Sequence, residues 1–103
     1  MKLELRMAED FGASLADGSR AMEYRVGHID PYIGLCQEIV LDFTGVRIAN
    51  SSFVNALVCG LIEQHGQEVL GILTFKGCNP VLRVLVESAI DLGLSKITGK
   101  VDA

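Results

Sequence analysis

Polar and apolar positions alternate from Met1 to Met7, with Leu3 and Leu5 on one face and Lys2, Glu4 and Arg6 on the other. A period of two with one charged face predicts a β-strand with that face in water. Phe11 to Gly18 contains two glycines and reads as a loop. Beyond it the period changes. Met22, Val26, Ile29 and Ile33 recur at helical spacing behind Ser19, a residue suited to cap a helix start. Asp30-Pro31 interrupts this pattern, and a residue before proline avoids the helical region, so the helix ends or kinks there.

Glu38 to Phe43 is almost continuously apolar, the mark of a strand covered on both faces. Thr44 to Ala49 forms a connection, and a helix opens at Asn50, Ser51 or Ser52 and stops at Gly66. Val69 to Phe75 predicts another buried strand. Asn79-Pro80 supplies a cap followed by proline at the first helical position, and this last helix, from Pro80 to about Leu92, is predicted to end at Gly93. The order β-α-β-α-β-α predicts a single α/β domain over residues 1–103 with a largely parallel sheet. Right-handed crossovers gather the loops after the strands at one edge, where open α/β sheets carry their functional groups. That edge is Met7–Gly18, Thr44–Ser52 and Lys76–Asn79.

Composition narrows the classes. Half of the 103 residues are hydrophobic and 21% are charged, which fits a folded domain and excludes a disordered chain. The apolar stretch Ser51–Ile62 is shorter than the roughly 20 residues a bilayer span needs, and acidic residues break any secretory-type run near the start. The expectation is a cytoplasmic protein with no membrane contact. The net charge is −4 and no two basic residues are adjacent, which argues against nucleic-acid binding. Cys36, Cys59 and Cys78 lack both zinc-ligand and redox spacing, so no metal site is indicated and they read as free thiols.

The most informative stretch is Leu41 to Phe53: a strand ending in Asp-Phe, a short crossover, then Asn50-Ser51-Ser52 at a helix start. Simple capping explains the triplet, since these side chains accept from free first-turn amides. The stretch also resembles the STAS superfamily of sulfate-transporter and anti-sigma-factor-antagonist domains. Antagonists of that group carry Asp-Ser-Ser-Gly there: Asn50 stands for the aspartate, Ser51 and Ser52 match the serines, and Phe53 replaces the glycine. The chain is similar more specifically to a short bacterial STAS-like family of unknown function, with Leu-Asp-Phe in the strand, Ser-Phe at the helix start and an early helical arginine, matched by Arg20; the similarity spans about residues 3–95. The resemblance implies a non-enzymatic, protein-binding regulatory module with a histidine-kinase-type ATPase as partner and the second serine, Ser52, as phosphoacceptor, Ser51 competing. A phosphate adds about −1.5 to −2 charge and is tolerated at a helix N-terminus.

Along the predicted helix, Val54, Leu57, Val58 and Leu61 form one apolar face at about 100° per residue. The opposite side has Phe53, Ala56, Cys59, Gly60, Glu63 and Gln64, with a single charge. Two readings stay open. One is a docking strip, for which Asn50, Phe53, Ala56 and Gly60 are the candidates and a homo-oligomer one form. The other is a helix buried on both sides by its neighbours. Ser19, Arg20 and Asp42 share the strand-end edge and are candidates for an anion or small-ligand site, with Arg20 placed to pair a phosphate on Ser52. Neither a P-loop nor a dinucleotide fingerprint is present, and no catalytic set or cofactor motif is evident. His65 at a helix end reads as a dipole partner. An enzyme is therefore not expected; the alternative functions are a small-ligand (nucleotide or anion) sensing module and a homo-oligomeric structural module.

Overall fold

In the computed structural model, residues 1–98 are described; residues 99–103 of the expected domain lie outside them. Strand β1 (Lys2–Arg6) leads into a short helix α1 (Met7–Phe11) and strand β2 (Ser14–Leu15). Helix α2 (Gly18–Tyr24) continues through a π turn, Arg25–Ile29, into a 3-10 turn at Asp30–Tyr32. Strands β3 (Glu38–Asp42) and β4 (Ile48–Ala49) follow. Helix α3 (Ser51–Val54) passes through a second π turn, Asn55–Cys59, into α4 (Gly60–His65). A 3-10 turn, β5 (Leu73–Lys76) and α5 (Pro80–Thr98) complete the described residues.

The main sheet has the order β1-β3-β5, all parallel. Both crossovers step in the same direction, so right-handed connections put their helices on one face. Register confirms which side that is. Leu3, Ile39 and Leu73 align across the sheet, as do Leu5, Leu41 and Phe75, and these rows join the core. The rows between them, Glu4–Val40–Thr74 and Arg6–Asp42–Lys76, point to the other face. The run at Glu38–Phe43 predicted cover on both sides, and Val40 is indeed only 3% exposed. Its second cover is not a helix. Lys76 Nζ reaches Glu4 Oε2 at 3.4 Å, spanning from β5 to β1 across β3, while Lys2 and Thr74 both reach Glu38. The aliphatic stems of these charged side chains shield the central strand while their heads stay wet.

Several boundaries differ from the sequence expectation. The loop at Phe11–Gly18 contains β2, which pairs in parallel with β4 from the Thr44–Ala49 connection. Two-residue strands carry too little periodicity to be read. The cap of α2 is Asp17, not Ser19: its carboxylate accepts from Ser19 N at 2.9 Å and Arg20 N at 3.4 Å. The buried face of α2 also differs from the one its spacing predicts. Met22 and Val26 are more than half exposed, whereas Ala21, Tyr24 and Arg25 turn inward with Ile29. The π turn adds a residue and moves the position above Ile29 from Met22 to Ala21. The expected strand Val69–Phe75 starts only at Leu73, after a 3-10 turn. Gly93 does not stop the last helix, which runs on to Thr98; a Cβ at Gly93 would lie 3.0 Å from Ile62 Cβ, so this glycine serves close helix approach. The cap at Asn79 is as read, its Oδ1 accepting from Leu82 N at 2.8 Å.

The composite helix from Ser51 to His65 lies between α2 and α5 and shares one hydrophobic core with the sheet. That placement settles its two readings. Phe53 is 1% exposed and Cys59 3%, so the side opposite Val54 and Leu57 is not a free strip. Phe53 packs edge-on against Phe11, with centroids 4.9 Å apart. Ala56 and Gly60 are small because Arg25 crosses them: a Cβ at Gly60 would lie 2.8 Å from Arg25 Nε, which donates to the Ala56 carbonyl at 3.3 Å. The expected docking role of Phe53, Ala56 and Gly60 is therefore corrected, and with it the motive for oligomerisation through that strip.

Candidate functional site

The β2–β4 pairing brings together two loops that are 34 residues apart in sequence at Ala16 and Asn50. Arg47 N donates to Ala13 O at 2.8 Å, and Asn50 N to Leu15 O at 3.0 Å. Asn50 then fixes the corner. Its Oδ1 accepts from Phe53 N at 2.9 Å, capping α3, and its Nδ2 donates to Ala16 O at 2.9 Å, tying α3 to the loop before α2. An aspartate could make the first bond but not the second. Asparagine at this position therefore adds a tie across the corner that aspartate would lack.

The tie sets the start of α2 against the start of α3. A Cβ on Gly18 would lie 2.6 Å from Ser52 Oγ and 3.0 Å from Ser52 O. Glycine there gives the serine hydroxyl its room. Ser51 and Ser52 are both exposed, at the first positions of α3. Ser19 and Arg20, the first-turn residues of α2, are exposed beside them, so Ser19, Arg20, Ser51 and Ser52 do share one edge. Arg20 does not point its charge at Ser52, however. Its guanidinium lies over the Phe11 ring, 5.0 Å from the centroid. Asp42 separates from this group. It ends β3 and opens on a neighbouring cleft of about 400 Å³ lined also by Arg6, Glu9, Thr44 and Lys76. The Thr44 hydroxyl and amide bond its carboxylate, the amide at 2.9 Å, and hold its pKa below the usual range.

Two features were not legible in the sequence. One is a chain of rings running Phe53, Phe11, Tyr24, His28, with successive centroids 4.9, 5.0 and 4.6 Å apart. Tyr24 donates its hydroxyl to Asp10 Oδ2 at 2.7 Å; burial and this carboxylate raise its pKa. The other is an ion cluster behind the helices. Arg25, 7% exposed, donates to Asp30 Oδ2 at 2.7 Å, and Asp30 Oδ1 meets His65 Nε2 at 2.8 Å. His65 thus has a carboxylate partner beyond its place at a helix end. Nearby, Cys59 donates to Glu63 at 3.1 Å, and burial with that carboxylate pushes its thiol up to about 11.

A family model, the STAS-like domain of unknown function (DUF4325), matches residues 28–82. The chain belongs to this family. The match covers β3, β4, the composite helix and β5 of this STAS-like domain, and so includes the Asn50-Ser51-Ser52 corner. The other half of the edge, Phe11 to Arg20, lies before the matched segment. No curated protein and no solved structure matches the chain. Among the described residues, no helix is long and apolar enough to cross a membrane, and no group of three or more His, Cys, Asp or Glu side chains is placed to hold a metal ion.

Proposed function

We propose that this STAS-like domain is a non-enzymatic regulatory module that binds a protein partner through the α2–α3 edge, and that phosphorylation of Ser52 by a histidine-kinase-type ATPase switches the binding. The observation that carries this reading is the exposed Ser51–Ser52 pair at the start of the composite helix, held by Asn50 beside Gly18. First-turn amides and the positive end of the helix dipole favour a phosphate at such a place. The edge is wet and uncluttered, so added charge alters the surface and leaves the core intact. Among the described residues the Arg20 guanidinium is held by a stack on Phe11, worth about 0.5–1 kcal/mol when exposed, and could turn to a phosphate on Ser52 at small cost. Resemblance to the antagonist motif supports Ser52 over Ser51.

The test is intact-mass analysis of the purified chain incubated with ATP and an ATPase of that type encoded beside its gene. The expected result is a gain of one phosphate that Ser52→Ala abolishes, together with a change in the affinity of the complex on modification. Modification that persists in Ser52→Ala, or a complex indifferent to phosphorylation, would overturn the assignment.

A further inference from the structure

Beside the serine corner, between α1 and α2, lies an open cleft of about 340 Å³. Its wall is the ring chain described above, presented by Phe11, Tyr24 and His28. Its rim carries two carboxylates, Asp10 and Glu23, against one cation, Arg20. Among the described residues Glu23 forms no hydrogen bond or ion pair, and Asp10 is engaged only by the Tyr24 hydroxyl. Arg20 shows what this wall accepts: its guanidinium lies over the Phe11 ring, and among the described residues it pairs with neither acid, so a partner's guanidinium would take the place that Arg20 now fills.

We propose that this cleft receives a cationic side chain, a guanidinium foremost, from the protein that docks at the Ser51–Ser52 edge. The proposal rests on the binding-module reading and names the chemistry of its partner. Aromatic faces attract cations, and a planar guanidinium can stack on a ring while donating in-plane to a carboxylate. An anion would meet Asp10 and Glu23 with like charge. An apolar side chain would strip water from them and offer no hydrogen bond in return. The acidic character continues past this cleft into the next one, about 310 Å³, where Asp10 is joined by Glu4, Glu9 and Arg6. With a net charge of −4, the whole chain also steers a basic surface inward.

The test is an amide NMR titration of the whole chain with N-acetyl-arginine amide and, separately, with its uncharged isostere N-acetyl-citrulline amide. Saturable shifts are expected at Asp10, Phe11, Glu23 and Tyr24 with the arginine compound, and at least about threefold weaker binding of the citrulline compound. Glu23 is exposed, so Glu23→Gln keeps the fold; it is expected to weaken the arginine compound by a similar factor and leave the citrulline compound unchanged. Equal responses to both compounds, shifts centred elsewhere, or no saturation would overturn the proposal. The readout involves neither kinase nor partner. A chain phosphorylated at Ser52 that ignores the arginine compound defeats the cleft alone. A chain that binds it but is never phosphorylated supports the cleft and defeats the switch.

Discussion

Gly60 sits inside a helix, where alanine would ordinarily stabilise by about 0.5–1 kcal/mol. The packing around it reverses that sign. A methyl at Gly60 would lie 2.8 Å from Nε and 3.2 Å from Cζ of Arg25. Arg25 has little freedom to retreat, because Asp30 holds Nη1 at 2.7 Å and the Ala56 carbonyl holds Nε at 3.3 Å. Overpacking of this kind costs about 1–3 kcal/mol. Net of the helix gain, Gly60→Ala is expected to destabilise by up to about 2.5 kcal/mol, at about 4–8 °C in Tm per kcal/mol for a domain of this size. Urea unfolding followed by circular dichroism, with an unchanged m value, measures it. The same substitution in an Arg25→Met background is the control. Methionine keeps an apolar stem but bends away from the methyl, so Gly60→Ala should there be neutral or stabilising. Gly60→Arg, which a solvent-facing strip would tolerate, is expected to cost several kcal/mol by setting a second guanidinium against Arg25. A Gly60→Ala variant more stable than the parent would refute the crossing of Arg25 over Gly60. An equal cost in both backgrounds would trace the strain to some other neighbour.

Asn50→Asp keeps the cap on Phe53 but sets an oxygen against the Ala16 carbonyl; a loss of about 1 kcal/mol by thermal melting is expected, and an unaltered melt would count against the tie. Gly18→Ala forces its methyl on Ser52, whose backbone carbonyl cannot swing aside, and is expected to cost about 1–3 kcal/mol and to shift the Ser51 and Ser52 amide resonances. The pH dependence follows from Asp42, whose folded pKa is depressed by the Thr44 hydroxyl and amide. A depressed carboxyl contributes stability that is present above its unfolded value, near about 4, and lost as pH falls through the folded value. Glu63, lowered chiefly by its bond from Cys59, adds to the same fall. The discriminating measurement is therefore the difference in urea midpoint between pH 6 and pH 3 for the parent and for Asp42→Asn. A smaller acid loss in the variant is expected, and equal losses would contradict the role given to Thr44.

The sequence by itself determined the layer order and the corner. Alternation at Lys2–Arg6, the apolar run at Glu38–Asp42 and the caps at Asn50 and Asn79 are local signals, because a strand face or a free helix amide is satisfied by residues close in the chain. Local signals also placed Ser51 and Ser52 at a helix start and Ser19 and Arg20 on the same edge. Tertiary structure decided what those local rules leave open. The first π turn shifts helical phase by a residue, so a strict 3.6 period chose Met22 for the buried face of α2; Phe53 is buried because neighbours cover the composite helix on its other side as well. Gly93 reads as a stop in sequence, yet the same missing Cβ admits Ile62. Gly60 and Ala56 look like an empty strip until Arg25, more than 30 residues earlier, is laid across them. The ring chain from Phe53 to His28 joins residues of three helices, and the Asp10–Tyr24 bond borders its cleft. Such contacts depend on how helices stack on a sheet, and periodicity along one segment carries no information about the side chain that arrives from another.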